Sequence, residues 1–117
     1  MPTRITERRI GDVTVVQVAG RIVLGDGAAE LRSRMNDLID EARLKFLLDL
    51  TDVTYIDSFG VGVIAAKYVS LRRKGGDVRL LRLSPRSWRV MRISGLLKIF
   101  QSFDTEEDGL KSFAQVP

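Results

Sequence analysis

Neither cysteine nor histidine occurs among the 117 residues. The first absence removes disulfides, thiolate nucleophiles and Cys-ligated metals. The second removes Ser-His-Asp and Cys-His relays, His-bound zinc and the side chain that titrates nearest neutrality. Most hydrolase chemistry is thereby excluded; carboxylate pairs, a Ser-Lys dyad or a carboxylate-held Mg²⁺ are what is left. No apolar run approaches the ~18 residues that would span a bilayer. The opening stretch Met1-Pro2-Thr3-Arg4-Ile5-Thr6-Glu7-Arg8-Arg9 lacks the apolar segment of a signal peptide. A cytoplasmic location without a membrane span is the expectation.

What is present reads as globular: 44% hydrophobic and 29% charged residues. The length suits one domain over residues 1–117, which at this size buries roughly 65% of the surface of the unfolded chain. The net charge of +4 is unevenly spread: residues 58–100 hold ten Lys or Arg and one acid, whereas residues 21–57 and 101–117 each carry a net −3. A basic half suits an acidic partner. No nucleic-acid reader motif accompanies it, so direct nucleic-acid binding is not expected.

Alternation and turn residues give the element order. Residues 4–10 and 13–20, rich in β-branched side chains and separated by Gly11-Asp12, predict an antiparallel hairpin. After the loop Gly25-Asp26-Gly27, one helical stripe is formed by Leu31, Met35, Leu38, Ile39 and Ala42. Phe46-Leu47-Leu48-Asp49-Leu50 suits a strand covered on both faces. A second helix is predicted from about Ser58 to Lys74, with Val61, Ile64, Tyr68 and Leu71 inward and Gly75-Gly76 ending it. Residues 78–83 form the next strand. Ser84-Pro85 opens a third helix that Gly95 ends. A short last strand falls within residues 100–103, and Asp104 is expected to cap a terminal helix. The order β-β-α-β-α-β-α-β-α implies a mixed, mostly parallel sheet with about four helices mainly on one face.

In open α/β sheets functional groups gather beyond the carboxyl ends of the strands. Of the loops this selects, Asp57-Ser58-Phe59-Gly60-Val61-Gly62 is the most unusual. Two glycines in the first turn of a helix cost roughly 1 kcal/mol each relative to Ala, so they serve close approach, by a neighbouring element or by a ligand. Ser58 is read as the N-cap, bonding a free N–H of the first turn. The same helix end accommodates a phosphate, either of a bound ligand or attached to Ser58 itself, where its roughly −2 charge faces the favourable dipole end. Gly60-Val61-Gly62-Val63-Ile64-Ala65 matches a dinucleotide fingerprint in letters only. The glycines stand too far from the preceding strand, and the acid that should end the next strand begins it. A Mg²⁺ site from Asp49, Asp52 and Asp57 is weighed against Asp49 as a strand-end carboxylate bonding local N–H groups. A Ser58–Lys67 dyad is geometrically poor, with nine positions covering about 13 Å of helix. No cofactor and no catalytic residue is assigned.

Leu48-Asp49-Leu50, then Val53 through Ile64, resembles the anti-sigma-factor antagonists of the STAS fold. So do Gly75-Gly76, Ser84-Pro85, the run Ile93 to Phe100 and the opening Val18-Ala19-Gly20-Arg21-Ile22. The resemblance implies a switch rather than an enzyme. The serine at the position of Ser58 is the phosphorylation site. The unphosphorylated form binds an anti-sigma factor that is also a serine kinase with a histidine-kinase-like ATPase fold, releasing the sigma factor. Phosphorylation breaks the complex and a PP2C-type phosphatase restores it. On this reading Asp57 positions the loop, Gly60 and Gly62 permit close partner approach, and Asp26, Phe59 and Trp88 are rim contacts. Phe59 stands where the family commonly has a small residue. Trp88 is expected to be partly exposed. Two other classes stay open: a structural subunit of a stress-sensing scaffold or transporter complex, and a module binding a nucleotide or other anion at the Ser58 helix end.

Overall fold

The computed structural model describes residues 2–114. Strands β1 (Arg4–Ile10) and β2 (Val13–Ile22) pair antiparallel across a turn in which Gly11 takes φ 61°. Then follow α1 (Ala28–Asp40), β3 (Lys45–Ile56), α2 (Ser58–Arg73), β4 (Asp77–Leu81), α3 (Pro85–Ile93), a 3₁₀ turn at Leu96–Lys98, β5 (Ser102–Phe103) and α4 (Glu106–Ala114). The five strands lie in the order β1-β2-β3-β4-β5, and every pair after the first is parallel. The predicted element order and mixed sheet are observed.

Three helices cover one face. Leu31, Met35 and Leu38 of α1, Val61, Ile64 and Leu71 of α2 and Met91 of α3 share a core with Val16, Val18, Phe46, Leu48, Leu50 and Leu80 from the sheet. Among the described residues the opposite face is covered only by α4, whose Phe113 and Leu110 meet Val13, Val15, Leu47 and Leu81. Arg79 emerges there, pairs with Asp77 at 3.0 Å and stacks its guanidinium 4.3 Å over the Phe113 ring. The apolar run 46–50 is thus buried on both faces because helices lie on both.

Local differences from the sequence reading have local causes. β3 is longer than its apolar run: Val53 and Ile56 stay buried, and β2 follows it with register shifts between Gln17 and Ala19 and between Gly20 and Arg21. Ala42 is not on the α1 stripe. The helix ends at Asp40 and Ala42 takes φ 65°, turning the chain so that the Arg43 N–H donates to the Leu38 carbonyl at 2.9 Å. β4 stops at Leu81 because Arg82 adopts φ 48°. The terminal helix is capped by Thr105, whose Oγ1 accepts from the Asp108 N–H at 3.1 Å, not by Asp104. Ser84 does cap α3, accepting from the Ser87 N–H at 3.2 Å. Among the described residues no helix is long and apolar enough to cross a membrane.

Candidate functional site

The carboxyl ends of β2 and β3 carry the loop Val23–Gly27 and the start of α2. The loop is closed on itself: the Val23 N–H donates to the Asp26 carbonyl at 2.9 Å and the Asp26 N–H to the Val23 carbonyl at 3.0 Å. Its tip, Leu24, is exposed. The Asp26 carboxylate faces Arg21 Nε at 3.2 Å and accepts from the Thr3 hydroxyl at 3.3 Å. Arg21 in turn lies over one face of the Tyr55 ring, at 5.3 Å, and Arg86 over the ring as well, at 4.8 Å.

Asp57 joins the loop to the helix. It is the true N-cap of α2, in extended conformation with φ −110° and ψ −178°. Its Oδ1 accepts from the Gly60 N–H at 2.8 Å and its Oδ2 from the Leu24 N–H at 3.0 Å. The expectation that Ser58 is the cap is corrected by this geometry: the carboxylate one residue earlier already occupies the capping position. Ser58 is instead the first helical residue. It is exposed, and its hydroxyl has no hydrogen-bond partner among the described residues.

Burial alone would push the Asp57 carboxyl up, but donation from the Gly60, Leu24 and Phe59 amides outweighs it and holds the carboxyl below its ordinary value. A folded-state pKa below the unfolded one gives stability that is present above the unfolded value and lost as pH falls through the folded one. Asp57→Ala is therefore expected to lower stability by about 1–2 kcal/mol at neutral pH. That deficit narrows as acid protonates the wild-type carboxylate, and urea unfolding of both proteins across the acid range measures it.

The two glycines after Ser58 do different things. Gly60 is buried, and a Cβ there would press into the Ile22 carbonyl oxygen, far inside van der Waals contact. Its close approach is to the end of β2, so it offers nothing to a partner; the sequence reading is corrected at this residue. Gly62 is exposed and a Cβ there would meet nothing. Grooves run along both sides of it. One, between α2 and α3, is lined by Ser58, Val61, Gly62, Val90, Ile93 and Ser94. The other, between α1 and α2, is lined by Arg32, Ser58, Phe59, Gly62 and Lys67 among others. The structure thus brings Asp57, Ser58, Phe59 and Gly62 onto one face, with Asp26 in the neighbouring loop that Asp57 fastens.

Trp88 is not part of that face. It is 48% exposed, as expected, but Trp88 and Val90 are two positions apart on a helix and so lie on opposite flanks. Val90 lines the groove beside Ser58, while Trp88 stacks with Arg92 at 5.1 Å. Ile93, 76% exposed and on the groove, is the residue of α3 that sequence reasoning passed over. An isoleucine outside its helix's buried stripe is the signal that could have found it.

The three aspartates considered for Mg²⁺ do not converge, and no acidic cluster able to hold a metal exists among the described residues. Asp49 accepts from the Thr51 N–H at 3.0 Å and its hydroxyl at 2.6 Å, and meets Arg82 at 3.3 Å, the local bonding expected of it. Lys67 is engaged by the Asn36 side-chain oxygen.

Comparison with known proteins agrees with this arrangement. The profile of the STAS domain matches residues 4–109. An anti-sigma F factor antagonist of Paenibacillus polymyxa is 31% identical over 81 residues, covering 68% of this chain and 69% of that protein. The unphosphorylated form of the anti-sigma factor antagonist SpoIIAA superposes with a TM-score of 0.80 at 21% identity, over 97% of this chain and 99% of that one. SpoIIAA of Bacillus in its phosphorylated form gives 0.74 at 20% identity, over 94% and 99%. At these identities the two structures speak for the fold, and the profile and the Paenibacillus relative for the family. The chain belongs to the STAS domain family, alongside these anti-sigma factor antagonists.

Proposed function

We propose that residues 1–117 act as one STAS domain whose role is that of an anti-sigma factor antagonist switched at Ser58. The unphosphorylated protein binds an anti-sigma factor that is also a serine kinase with a histidine-kinase-like ATPase fold, and a sigma factor is released. The kinase then transfers the γ-phosphoryl group of ATP to Ser58 Oγ; the O–P bond forms, the hydroxyl proton is lost and ADP leaves. A PP2C-type phosphatase returns the serine by hydrolysis. The observation that carries this reading is the division of labour at the start of α2. Asp57 satisfies the helix end, so the exposed Ser58 hydroxyl has no structural task among the described residues. A serine needed as a cap could not be modified without loosening the helix; this one can.

The face on which it stands suits a protein partner. Leu24, Phe59 and Ile93 are exposed apolar side chains around Ser58 and Gly62, more than isolated surface residues require. A dianion placed among them is desolvated when a partner docks, a penalty in the class that truncation studies put at about 2–5 kcal/mol. Asp26 and Asp57 contribute through the loop they hold in place. A pull-down from lysate of the source organism with Ser58→Ala and Ser58→Asp baits tests the reading. A protein of the ATPase-kinase fold is expected on the Ala bait and not on the Asp bait; equal recovery on both would reject Ser58 as the switch.

A further inference from the structure

Two cations, Arg32 and Lys67, line the groove between α1 and α2, and among the described residues no carboxylate lines it with them. Both helices return from the carboxyl end of one parallel strand to the start of the next on the same sheet face, so they run parallel. Arg32 stands about one turn into α1, and Ser58 begins α2, one turn below Gly62. At the usual interaxial distance of about 8–10 Å, an arginine side chain at that level spans to the start of the neighbouring helix. The groove holds about 360 Å³ and Arg32, Ser58, Gly62 and Lys67 all line it. Gly62 puts no side chain between them. Arg32 makes no ion pair among the described residues.

Lys67 lies further along α2, held by Asn36 of α1. Its pKa is lowered first by burial and then by the charges of Arg32 and Lys74, with Asp40 opposing. Burial is the larger cause and the Arg32 charge the next, so the two cations that line the groove stand near enough to act on one another. The nearest acid to Ser58, Asp57, is committed to the Leu24 and Gly60 amides.

We propose that Arg32 captures the phosphate carried on Ser58, drawing it across Gly62 into the α1/α2 groove. This rests on the reading that Ser58 is phosphorylated, and it adds a cis partner for the modified side chain. The recognised chemistry is a phosphate monoester dianion paired with a guanidinium, a bidentate match. Lys67 supplies field from farther along the helix and Arg32 supplies the contact. Phosphorylation then does more than add charge: it fills the groove beside Phe59 and ties α1 to α2 across the face that a partner would use.

The test is a ³¹P NMR titration of protein carrying phosphoserine at position 58, installed during translation, so no kinase is needed. Wild type, Arg32→Gln and Arg86→Gln are compared. Arg32 is exposed, and Arg86 belongs to the Tyr55 stack, so both variants are expected to fold. In the wild type the second phosphate pKa is expected to lie about 0.5–1 unit below the free value of ~6, in the direction an arginine partner imposes. Arg32→Gln is expected to abolish at least half of that depression, and Arg86→Gln to leave it unchanged. A phosphate that titrates identically in wild type and Arg32→Gln would overturn the proposal. So would a depression lost with Arg86→Gln instead, which would assign the phosphate to the Tyr55 arginines. The measurement is independent of partner binding: capture by Arg32 in a protein whose two baits retain the same proteins would refute the switch while leaving the capture.

Discussion

Gly60→Ala is expected to destabilise the protein by about 3 kcal/mol, the upper part of the range for overpacking a filled interior, although alanine is the better helix former by about 1 kcal/mol. The added methyl would press on the Ile22 carbonyl, and a backbone carbonyl cannot swing aside as the tip of a side chain can. Relief requires moving the end of β2 or the first turn of α2. Each is pinned: the Asp57 N–H reaches the same Ile22 carbonyl at 3.4 Å, and the Asp57 carboxylate holds the Gly60 amide at 2.8 Å. Gly27 repeats the device from the other side, with φ 93° and a missing Cβ that would press on the Arg21 carbonyl. The site is thus assembled by two close approaches to the last residues of one strand. Gly62→Ala is the matched control. Its methyl meets nothing, and a gain of up to about 1 kcal/mol is expected. Chemical denaturation of the two variants separates the roles; a Gly60→Ala protein as stable as the wild type would mean that the approach to β2 is not tight.

The element order was legible because each boundary has a local chemical signature: Gly11-Asp12 for the hairpin, Ser84-Pro85 for the start of α3, and Gly75-Gly76 and Gly95 for helix ends. The helix stripes were legible for the same reason, and Leu31, Met35 and Leu38 are buried as their spacing requires. What could not be read depends on residues far apart in sequence. Asp57 and Ser58 are adjacent and are both good caps by type. Only the path of β3, which delivers Asp57 in extended conformation beside Leu24, assigns the cap to the first and frees the second. Gly60 and Gly62 look alike in sequence, and their difference is set by where Ile22 lies. Trp88 and Ile93 trade importance once α3 is seated, because its roll about its axis decides which flank adjoins Ser58. Arg32 gave no signal as one charge on a polar helix face; it gains meaning only when α1 lies alongside α2. Ala42 and Asp104 were misplaced by one or two residues at helix ends, where capping geometry rather than periodicity decides.

The second large effect concerns binding. Introducing a charge at Ser58 is expected to lower affinity for the anti-sigma factor about 100-fold, equivalent to about 2.7 kcal/mol. A carboxylate at position 58 is shorter than a phosphoserine, stops short of Arg32 and stands among exposed apolar neighbours, so a docking partner would strip it of water without a counter-charge within its reach. Phosphoserine, with roughly twice the charge, is expected to reduce affinity further. Ser58→Ala removes only a hydroxyl that holds nothing among the described residues, so its stability and affinity should stay near those of the unmodified protein.

Titration calorimetry of the captured ATPase-fold partner against wild type, Ser58→Ala and Ser58→Asp is the most direct test of the switch. Wild type and Ser58→Ala are expected to bind alike, and Ser58→Asp about 100-fold more weakly while melting at the same temperature as the wild type. Equal affinity for all three proteins would contradict the account and leave Ser58 as an exposed serine with no part in recognition.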